Sequence, residues 1–256
     1  MSGPAGAARL TAPLLRHATL DSTNAEALRL LAQRTPPFWV LAERQTAGRG
    51  RRARPWISPP GNLAVSLALR LAPEGPSPAL RSFTAALALA EALEEVSGHA
   101  LPLALKWPND VLLEGRKLSG ILLEGRSAGR GAPLDLVVGI GVNLIAAPPP
   151  GKVAPSGPVP VSLLEATGRR VTPEALLAAL DAAFFAREAQ LLAEGFAPIR
   201  EAWLARAHGL GAPVTARLAD GRTLAGCFET VDLAGNLVLK TGHGREIVSA
   251  ADIFFA

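Results

Sequence analysis

A segment rich in arginine and glycine, residues 44–56 with the sequence RQTAGRGRRARPW, is the first candidate for chemistry in this chain. Five arginines lie from Arg44 to Arg54 without one acidic residue, and Gly48 and Gly50 are interspersed among them. Guanidinium groups bind phosphates and carboxylates through paired hydrogen bonds, and glycine lets the backbone approach a ligand closely. The composition predicts a binding loop for an oligoanion, while a solvated basic loop or an RNA-binding arginine motif gives a similar pattern.

A second candidate is the run KWPNDVLLEGRKLSGILL, residues 106–123. Its WPND segment is typical of a turn between two strands, and Lys117, one of only four lysines, stands at the start of the next apolar strand. The stem of this lysine can run along the core while its ammonium reaches a pocket. A surface lysine that extends into solvent fits the same pattern.

Two shorter motifs contain small and polar residues. The sequence GIGVN, residues 139–143, lacks the third glycine, the following helix and the acidic residue of a dinucleotide-binding fingerprint, so we exclude a Rossmann fold. Its two glycines can instead leave room for a flat ligand. The sequence DSTN, residues 21–24, is by itself explained by helix capping.

Composition excludes several other classes of protein. The 256 residues are 49% apolar and 19% charged, without the apolar run of a membrane span or the glycine repeat of collagen. No P-loop or HExxH motif is present, and the four histidines lack metal-ligand spacing. A lone cysteine, Cys227, excludes an internal disulfide, and the first 20 residues do not resemble a signal peptide, so we expect a cytoplasmic location.

The net charge of +4 suggests nucleic acid until the basic residues are located. Five of the 26 basic residues lie in the arginine segment, which leaves 21 against 22 acidic residues in the rest of the chain. The basic surplus is therefore local, which favours a single small anion over a polymer.

Hydrophobic periodicity predicts the elements that position these motifs. A helix is expected to begin near Thr23 or Asn24, with Thr23 as its cap and Glu26 at capping-box spacing. Strands are predicted over 39–42, 63–71, 103–107, 111–113, 118–123 and 134–144, and helices over 79–96, 173–192 and 196–207. Within the last of these strands, the run 134–142 is interpreted as a short edge strand that could pair across a dimer.

Two further stretches indicate the domain organisation. Six prolines between residues 147 and 160 exclude a regular element there and predict a loop. After Gly209 and Gly211 the sequence changes to short alternating runs separated by turn residues, which is typical of a small all-β module. We therefore predict one domain over 1–208 and a second over 209–256.

Taken together and in this order, the motifs resemble the biotin protein ligase family, from about Leu15 to the C-terminus. Ala53 departs from the pattern, because the arginine loop of the family usually has glycine there, but this change removes no liganding group. The segments that carry the resemblance are residues 21–24 (DSTN), 43–52 (ERQTAGRGRR), 106–110 (KWPND), 116–122 (RKLSGIL) and 139–143 (GIGVN).

The resemblance implies a two-step ligation. Biotin and MgATP form biotinyl-5′-AMP and pyrophosphate, and the biotinyl group then passes to one lysine of a biotin carboxyl carrier protein of acetyl-CoA carboxylase or a related carboxylase. The implied fold is α/β (α+β): a mixed β-sheet catalytic domain flanked by helices, related to class II aminoacyl-tRNA synthetases, followed by a small C-terminal SH3-like β-barrel. Only about 20 residues precede Asp21, too few for the DNA-binding module of some members, so we expect no sequence-specific DNA binding.

The resemblance also implies roles for individual residues. The catalytic set is Lys117, Arg49, Arg51 and, as a hypothesis, Asp110, which would orient or deprotonate the acceptor lysine. The biotin-binding set is Ser22, Thr23, Asn24, Gln45, Gly48, Arg49, Gly50, Arg51, Lys117, Gly120 and Gly139. The ATP-binding set is Arg54, Trp56, Lys117 and Asn143, with Mg²⁺ expected near Asn143.

Two alternatives stay open. A lipoate or octanoyl protein ligase has a related fold, and binding of each acid distinguishes it from a biotin ligase. A nucleic-acid-binding protein that uses residues 44–54 would bind RNA or DNA with a steep dependence on salt concentration, and biotin would not affect this binding.

We expect that the protein does not associate with membranes. We also expect it to be a monomer or a homodimer.

Overall fold

A computed structural model describes residues 10–127, 129, 131–149, 157–218 and 220–255 of the chain. Two β-sheets and five α-helices are formed within these ranges. The helices that the structure describes do not include one with the length and apolar character needed to span a bilayer.

The larger sheet has seven strands in the order β1-β2-β3-β7-β6-β5-β4. Strands β1 and β2 are parallel, and every other neighbouring pair is antiparallel, so the sheet is mixed. Its strands are β1 (Leu14–Leu20), β2 (Phe38–Gln45), β3 (Leu63–Leu71), β4 (Leu103–Lys106), β5 (Asp110–Leu113), β6 (Arg116–Ser127) and β7 (Leu134–Val142).

Helices cover both faces of this sheet, as the side-chain alternation of β2 illustrates. Trp39 and Leu41 are buried in the main core with α2 and α4, whereas Phe38 and Val40 are buried on the opposite face beside α1. A strand that is apolar at consecutive positions is typical of a sheet covered on both sides. The helices are α1 (Thr23–Leu30), α2 (Arg81–Ser97), α3 (Leu163–Thr167), α4 (Pro173–Glu194) and α5 (Phe196–Leu204).

The smaller sheet is antiparallel and has five strands in the order β11-β10-β9-β8-β12. It contacts the larger part of the molecule through buried Trp107, whose indole N–H donates to the carbonyl of Gly235 at 3.0 Å. Its strands are β8 (Pro213–Leu218), β9 (Thr223–Val231), β10 (Leu237–Thr241), β11 (Gly244–Val248) and β12 (Ala251–Phe255). The division of the chain between residues 208 and 209 stays a prediction.

The structure confirms most of the predicted elements and corrects two interpretations. The edge-strand interpretation of 134–142 is wrong: β7 lies between β3 and β6 in the interior of the sheet, with both backbone edges hydrogen-bonded, so it has no free edge for a dimer. The cap of α1 is Ser22, not Thr23, because the Ser22 hydroxyl faces the amide of Ala25. Strand β1 and helix α3 were not predicted. The proline-rich stretch lies partly outside the described residues, and within them Pro160 forms a bridge with Lys117.

Candidate active site

A cavity of about 440 Å³ opens at one end of the larger sheet and reaches the first residues of β12. It brings together 14 of the 15 predicted site residues, from segments far apart in the sequence. Those lining it are Ser22, Thr23, Asn24, Gln45, Arg49, Gly50, Arg51, Arg54, Trp56, Asp110, Lys117, Gly120, Gly139 and Asn143. The predicted residue outside the lining is Gly48, whose carbonyl accepts from the backbone N–H of Trp56 at 2.9 Å where the arginine segment folds back on itself.

The closed end of the cavity is polar and is formed by the start of α1 and the end of β2. Ser22, Thr23 and Asn24 are each 4% exposed. The backbone N–H of Thr23 donates to Oε1 of Gln45 at 2.8 Å, which fixes the orientation of the Gln45 amide. A hydroxyl and an amide held at the closed end can recognise a small polar group by hydrogen bonds.

Two polar side chains that the sequence analysis missed lie behind this end, outside the cavity lining. Ser66 on β3 is fully buried, and its Oγ lies 2.6 Å from Oδ1 of Asn24 and 2.8 Å from Oγ1 of Thr23. Glu124 on β6 accepts from Nδ2 of Asn24 at 2.8 Å. The available signal was Ser66 itself, one hydroxyl within the apolar strand sequence LAVSLALRL.

The glycines of β6 and β7 give space to larger neighbours. A Cβ on Gly139 would overlap the Asn24 amide, and a Cβ on Gly141 would overlap the Trp56 indole. Gly120 also lies against the Trp56 ring. Among the described residues, the buried indole N–H of Trp56 has no hydrogen-bond acceptor. Gly120 and Gly141 therefore leave room for an aromatic plane, and in this structure the Trp56 indole lies there. The flat ligand predicted beside the glycines of GIGVN stays a prediction.

Cationic and anionic groups face each other in the middle of the cavity. The Lys117 ammonium lies 2.7 Å from Oδ1 of Asp110 and 5.8 Å from the centre of the Trp56 ring. Lys106, for which no role was predicted, also lines the cavity, 6.0 Å from the Phe255 ring. Burial lowers the pKa of Lys106 from its ordinary value, although the carboxylate of Asp110 partly offsets this change.

The arginine segment closes one side of the cavity and contacts the smaller sheet. Asp252 on β12 accepts from Arg52 at 2.6 Å and from Arg54 at 2.7 Å. Arg51 faces Oδ1 of Asn109 at 3.5 Å, and burial lowers the pKa of its guanidinium. Arg49 lies 3.4 Å from Glu124. Arg49 and Arg54, both predicted to bind an anionic ligand, thus face carboxylates of the protein in this structure, whereas Arg51 faces an amide oxygen.

Ala53 lies in a strained part of this segment. Its φ is 57°, and that of Arg52 is 55°, both in the left-handed region that favours glycine. The departure from the family pattern at this position therefore falls where glycine fits the backbone better.

The cavity has few groups suited to binding a metal ion without help from a ligand. Within the described ranges, His, Cys, Asp and Glu side chains do not form any group of three or more that could hold a metal. Oδ1 of Asn143 is buried, and no hydrogen-bond donor reaches it from the described part of the chain. One amide oxygen fits a Mg²⁺ ion whose other ligands are phosphates and water.

Comparisons with known proteins agree with this geometry. The model of the biotin/lipoate A/B protein ligase family matches residues 17–143, and that of the biotin protein ligase C terminal domain matches residues 209–256. A biotin--[acetyl-CoA-carboxylase] ligase of Paracoccus denitrificans is 50% identical over 93% of this chain and 98% of that protein. The bifunctional ligase/repressor BirA of Bacillus subtilis is 33% identical over 94% of this chain and 73% of its own length.

A solved structure has the same fold. The biotin protein ligase from Aquifex aeolicus in complex with biotin and ATP superposes with a TM-score of 0.79, at 25% identity, over 95% of this chain and 99% of that one. This confirms the expected mixed-sheet fold with a C-terminal β module. Because a relative shares half of the aligned residues along almost its whole length, the chain belongs to the biotin protein ligase family.

Proposed function

We propose that the protein is an ATP-dependent ligase that converts biotin to biotinyl-5′-AMP and transfers the biotinyl group to a lysine of a biotin carboxyl carrier protein. One observation carries the residue assignments: a single cavity joins a buried polar end to a cluster of cations. A ureido ring followed by a carboxylate chain and a phosphate has this same order of neutral and anionic groups. The names of the Paracoccus and Aquifex relatives support the choice of biotin and ATP.

Thr23, Gln45 and Ser22 are proposed to bind the ureido head. Their side chains offer hydroxyls and an amide at the closed end of the cavity, where Ser22 and Thr23 are buried. Asn24 lies behind them, with its amide held by Ser66 and Glu124, and supports their positions. Recognition by several fixed hydrogen bonds discriminates against acids without matching polar groups.

In the first step, a carboxylate oxygen of biotin attacks the α-phosphorus of ATP, and the bond to the β-phosphate oxygen breaks. Pyrophosphate leaves with the electron pair of that bond. Negative charge gathers around the α-phosphate, so fixed cations and correct alignment supply most of the catalysis. Lys117 in the middle of the cavity and Arg49 and Arg51 at its side are the groups proposed for this role.

Arg54, Trp56 and Asn143 are proposed to bind the nucleotide. Trp56 offers an aromatic face for the adenine, and Arg54 offers a guanidinium for the phosphates, which requires it to leave Asp252. Oδ1 of Asn143 is the oxygen that would contact Mg²⁺ carried by ATP. The ion, when bound, shields the phosphate charge.

In the second step, the amine of the carrier lysine attacks the carbonyl carbon of biotinyl-5′-AMP, and AMP leaves. The amine must lose a proton, and Asp110 is the carboxylate at the cavity that we propose for orienting or deprotonating it. Because Asp110 is paired with Lys117 here, we propose that binding of the adenylate draws Lys117 to the phosphate and frees Asp110.

We also propose that residues 1–208 form the catalytic domain, and that residues 209–256 form an SH3-like module that supplies Asp252 to the cavity. A cytoplasmic location is proposed because the substrates are metabolites of that compartment and Cys227 cannot form an internal disulfide.

Biotin-dependent exchange between ATP and labelled pyrophosphate tests the proposal directly. We expect exchange with biotin, little or none with lipoate, and transfer of biotin to a purified biotin carboxyl carrier domain. Exchange driven by lipoate but not by biotin would show that the substrate is wrong. Retention of the adenylate without transfer would limit the protein to the first step.

A further inference from the structure

The side chains behind the closed end of the cavity form a chain of hydrogen bonds that begins at a carboxylate. It runs from Glu124 through Asn24 and Ser66 to Thr23. We propose that Glu124 and Ser66, which do not line the cavity, are positioning residues that turn the Thr23 hydroxyl into a hydrogen-bond acceptor for a ureido N–H. This inference rests on the proposed function, since it concerns how the same cavity selects its acid.

The direction of each hydrogen bond follows from the one before it. A carboxylate accepts only, so Nδ2 of Asn24 must face Glu124 at 2.8 Å, and the same nitrogen also faces the carbonyl of Leu122 at 3.3 Å. Oδ1 of Asn24 must then point to Ser66, whose Oγ lies 2.6 Å away and donates its one hydrogen. The amide of Asn24 therefore transmits the polarity of the carboxylate.

The Oγ atoms of Ser66 and Thr23 lie 2.8 Å apart, so one hydrogen must lie between them. The hydrogen of Ser66 is committed to Asn24, and the Thr23 hydroxyl must therefore donate to Ser66. Oε1 of Gln45 lies farther from Thr23 Oγ1, at 3.2 Å, and therefore does not accept this hydrogen. Thr23 is left with oxygen lone pairs that can accept from a ligand.

Gln45 presents the opposite polarity. Its Oε1 already accepts from the backbone N–H of Thr23, so its Nε2 is a donor directed away from that contact, toward Gly48. An acceptor on Thr23 beside a donor on Gln45 matches a ureido group, in which an N–H stands next to a carbonyl. A dithiolane ring, as in lipoate, has neither group. The hydrogen-bond chain thus selects for a cyclic urea.

The backbone around these hydrogen-bonded side chains leaves room for them. Gly139 on β7 pairs in register with Ser66 on β3, and a side chain at Gly139 would overlap the Asn24 amide. Thr23, Asn24 and Ser66 are at most 4% exposed, so water does not compete for these hydrogen bonds. Burial makes an unmatched donor or acceptor costly, which keeps the directions fixed.

The test is a comparison of KM values in the pyrophosphate-exchange assay for wild type, Ser66→Ala, Glu124→Leu and Glu124→Gln. Ser66→Ala and Glu124→Leu each remove one link of the hydrogen-bond chain. Each should raise the KM for biotin by about tenfold or more, while the KM for ATP should change less than about threefold. Glu124→Gln keeps an oxygen for Asn24 and should restore the KM for biotin to within about threefold of wild type. A general loss of packing would not produce this separation.

Ser97→Ala is the matched control, because Ser97 is another fully buried serine, at the end of α2, and does not line the cavity. It should leave both KM values unchanged. Glu124 is partly exposed, so its variants test the chain even if Ser66→Ala does not fold. Equal KM values for biotin in wild type, Ser66→Ala and Glu124→Leu would overturn the positioning role, as would equal effects of Glu124→Leu and Glu124→Gln. A wild-type protein that does not use biotin would overturn the proposed function instead.

Discussion

Lys117 lines the cavity beside Asp110, and its removal should affect the first chemical step most. We expect Lys117→Ala to lower the rate of biotin-dependent pyrophosphate exchange by about 10²- to 10³-fold, the usual effect of losing one fixed group that stabilises developing charge. Lys240→Ala, which removes an exposed lysine of β10, is the control and should exchange at the wild-type rate. Exchange by Lys117→Ala within a factor of three of wild type would contradict the role.

Asp21, next to the helix cap, gives a pH-dependent prediction. Hydrogen bonds from Arg29 and from the Ser22 backbone lower the pKa of Asp21 from 3.8 to about 2. A carboxyl whose pKa is lowered on folding stabilises the folded state above its unfolded pKa, and this contribution is lost as the pH falls from about 4 through about 2. We expect Arg29→Gln to move the Asp21 midpoint, followed by carboxyl ¹³C NMR, toward 3.8.

The effect on stability should be small, because both partners are about half exposed and solvent screens their attraction. Denaturation of wild type and Arg29→Gln should differ slightly at neutral pH and should converge below about pH 2. A wild-type midpoint near 3.8 would show that the pair does not form in solution.

The residues that line the cavity could be predicted from sequence better than the residues that support them. Motifs such as DSTN and RKLSGIL mark the cavity lining because their residue types do chemistry. Ser66 and Glu124 are 58 positions apart in the chain, and their relation depends on the pairing of β3 and β6 with β7. No local pattern carries that pairing.

At the scale of elements, the close packing of β7 against the arginine segment is testable through Gly141. We expect Gly141→Ala to force the Trp56 indole away from the strand, because the new methyl group would overlap the ring. The KM for ATP should rise by about tenfold, while the KM for biotin should rise less than threefold. Gly125→Ala on β6 is the control, since a Cβ there has its nearest neighbours at 3.4 to 3.6 Å. Unchanged use of ATP by Gly141→Ala would show that the indole moves freely.

The bounds of strands and helices were predicted well where the hydrophobic periodicity is strong. The position of each strand within the sheet was predicted less well. Strand β3 was predicted from the sequence over 63–71, the same bounds that the structure has. The order of the strands was not, and β7 was therefore interpreted as an edge. Its sequence LDLVVGIGV is apolar at consecutive positions, which indicates a strand covered on both faces and could have corrected the interpretation.

At the scale of the whole molecule, Asp252 connects the smaller sheet to the arginine segment. We expect Asp252→Asn to weaken the hold on Arg52 and Arg54 and to increase local opening of the segment. Limited trypsin digestion of the ligand-free protein should cut within residues 49–54 faster by about threefold or more, and biotin with ATP should restore protection.

Glu229→Gln provides the matched control, because Glu229 also pairs with an arginine of the smaller sheet, at its exposed surface away from the cavity. Its digestion rate should equal that of wild type. Equal rates for Asp252→Asn and wild type would show that the contacts of Asp252 do not restrain the segment.

The neutralised state of the arginine segment has a consequence for how binding responds to ionic strength. Arg49, Arg52 and Arg54 already face carboxylates, so an incoming triphosphate replaces protein acids more than it replaces salt ions. A nucleic-acid-binding loop behaves differently. Its binding releases counterions from the polymer, so its affinity falls steeply as the salt concentration rises. Calorimetric titration with ATP in the presence of biotin should therefore give an affinity that falls less than about tenfold between 50 and 200 mM KCl, against the roughly 10³- to 10⁵-fold loss typical of a polymer bound through many phosphates. The chain carries its own counterions at this site, which lets a basic protein bind a small nucleotide without also attracting polyanions.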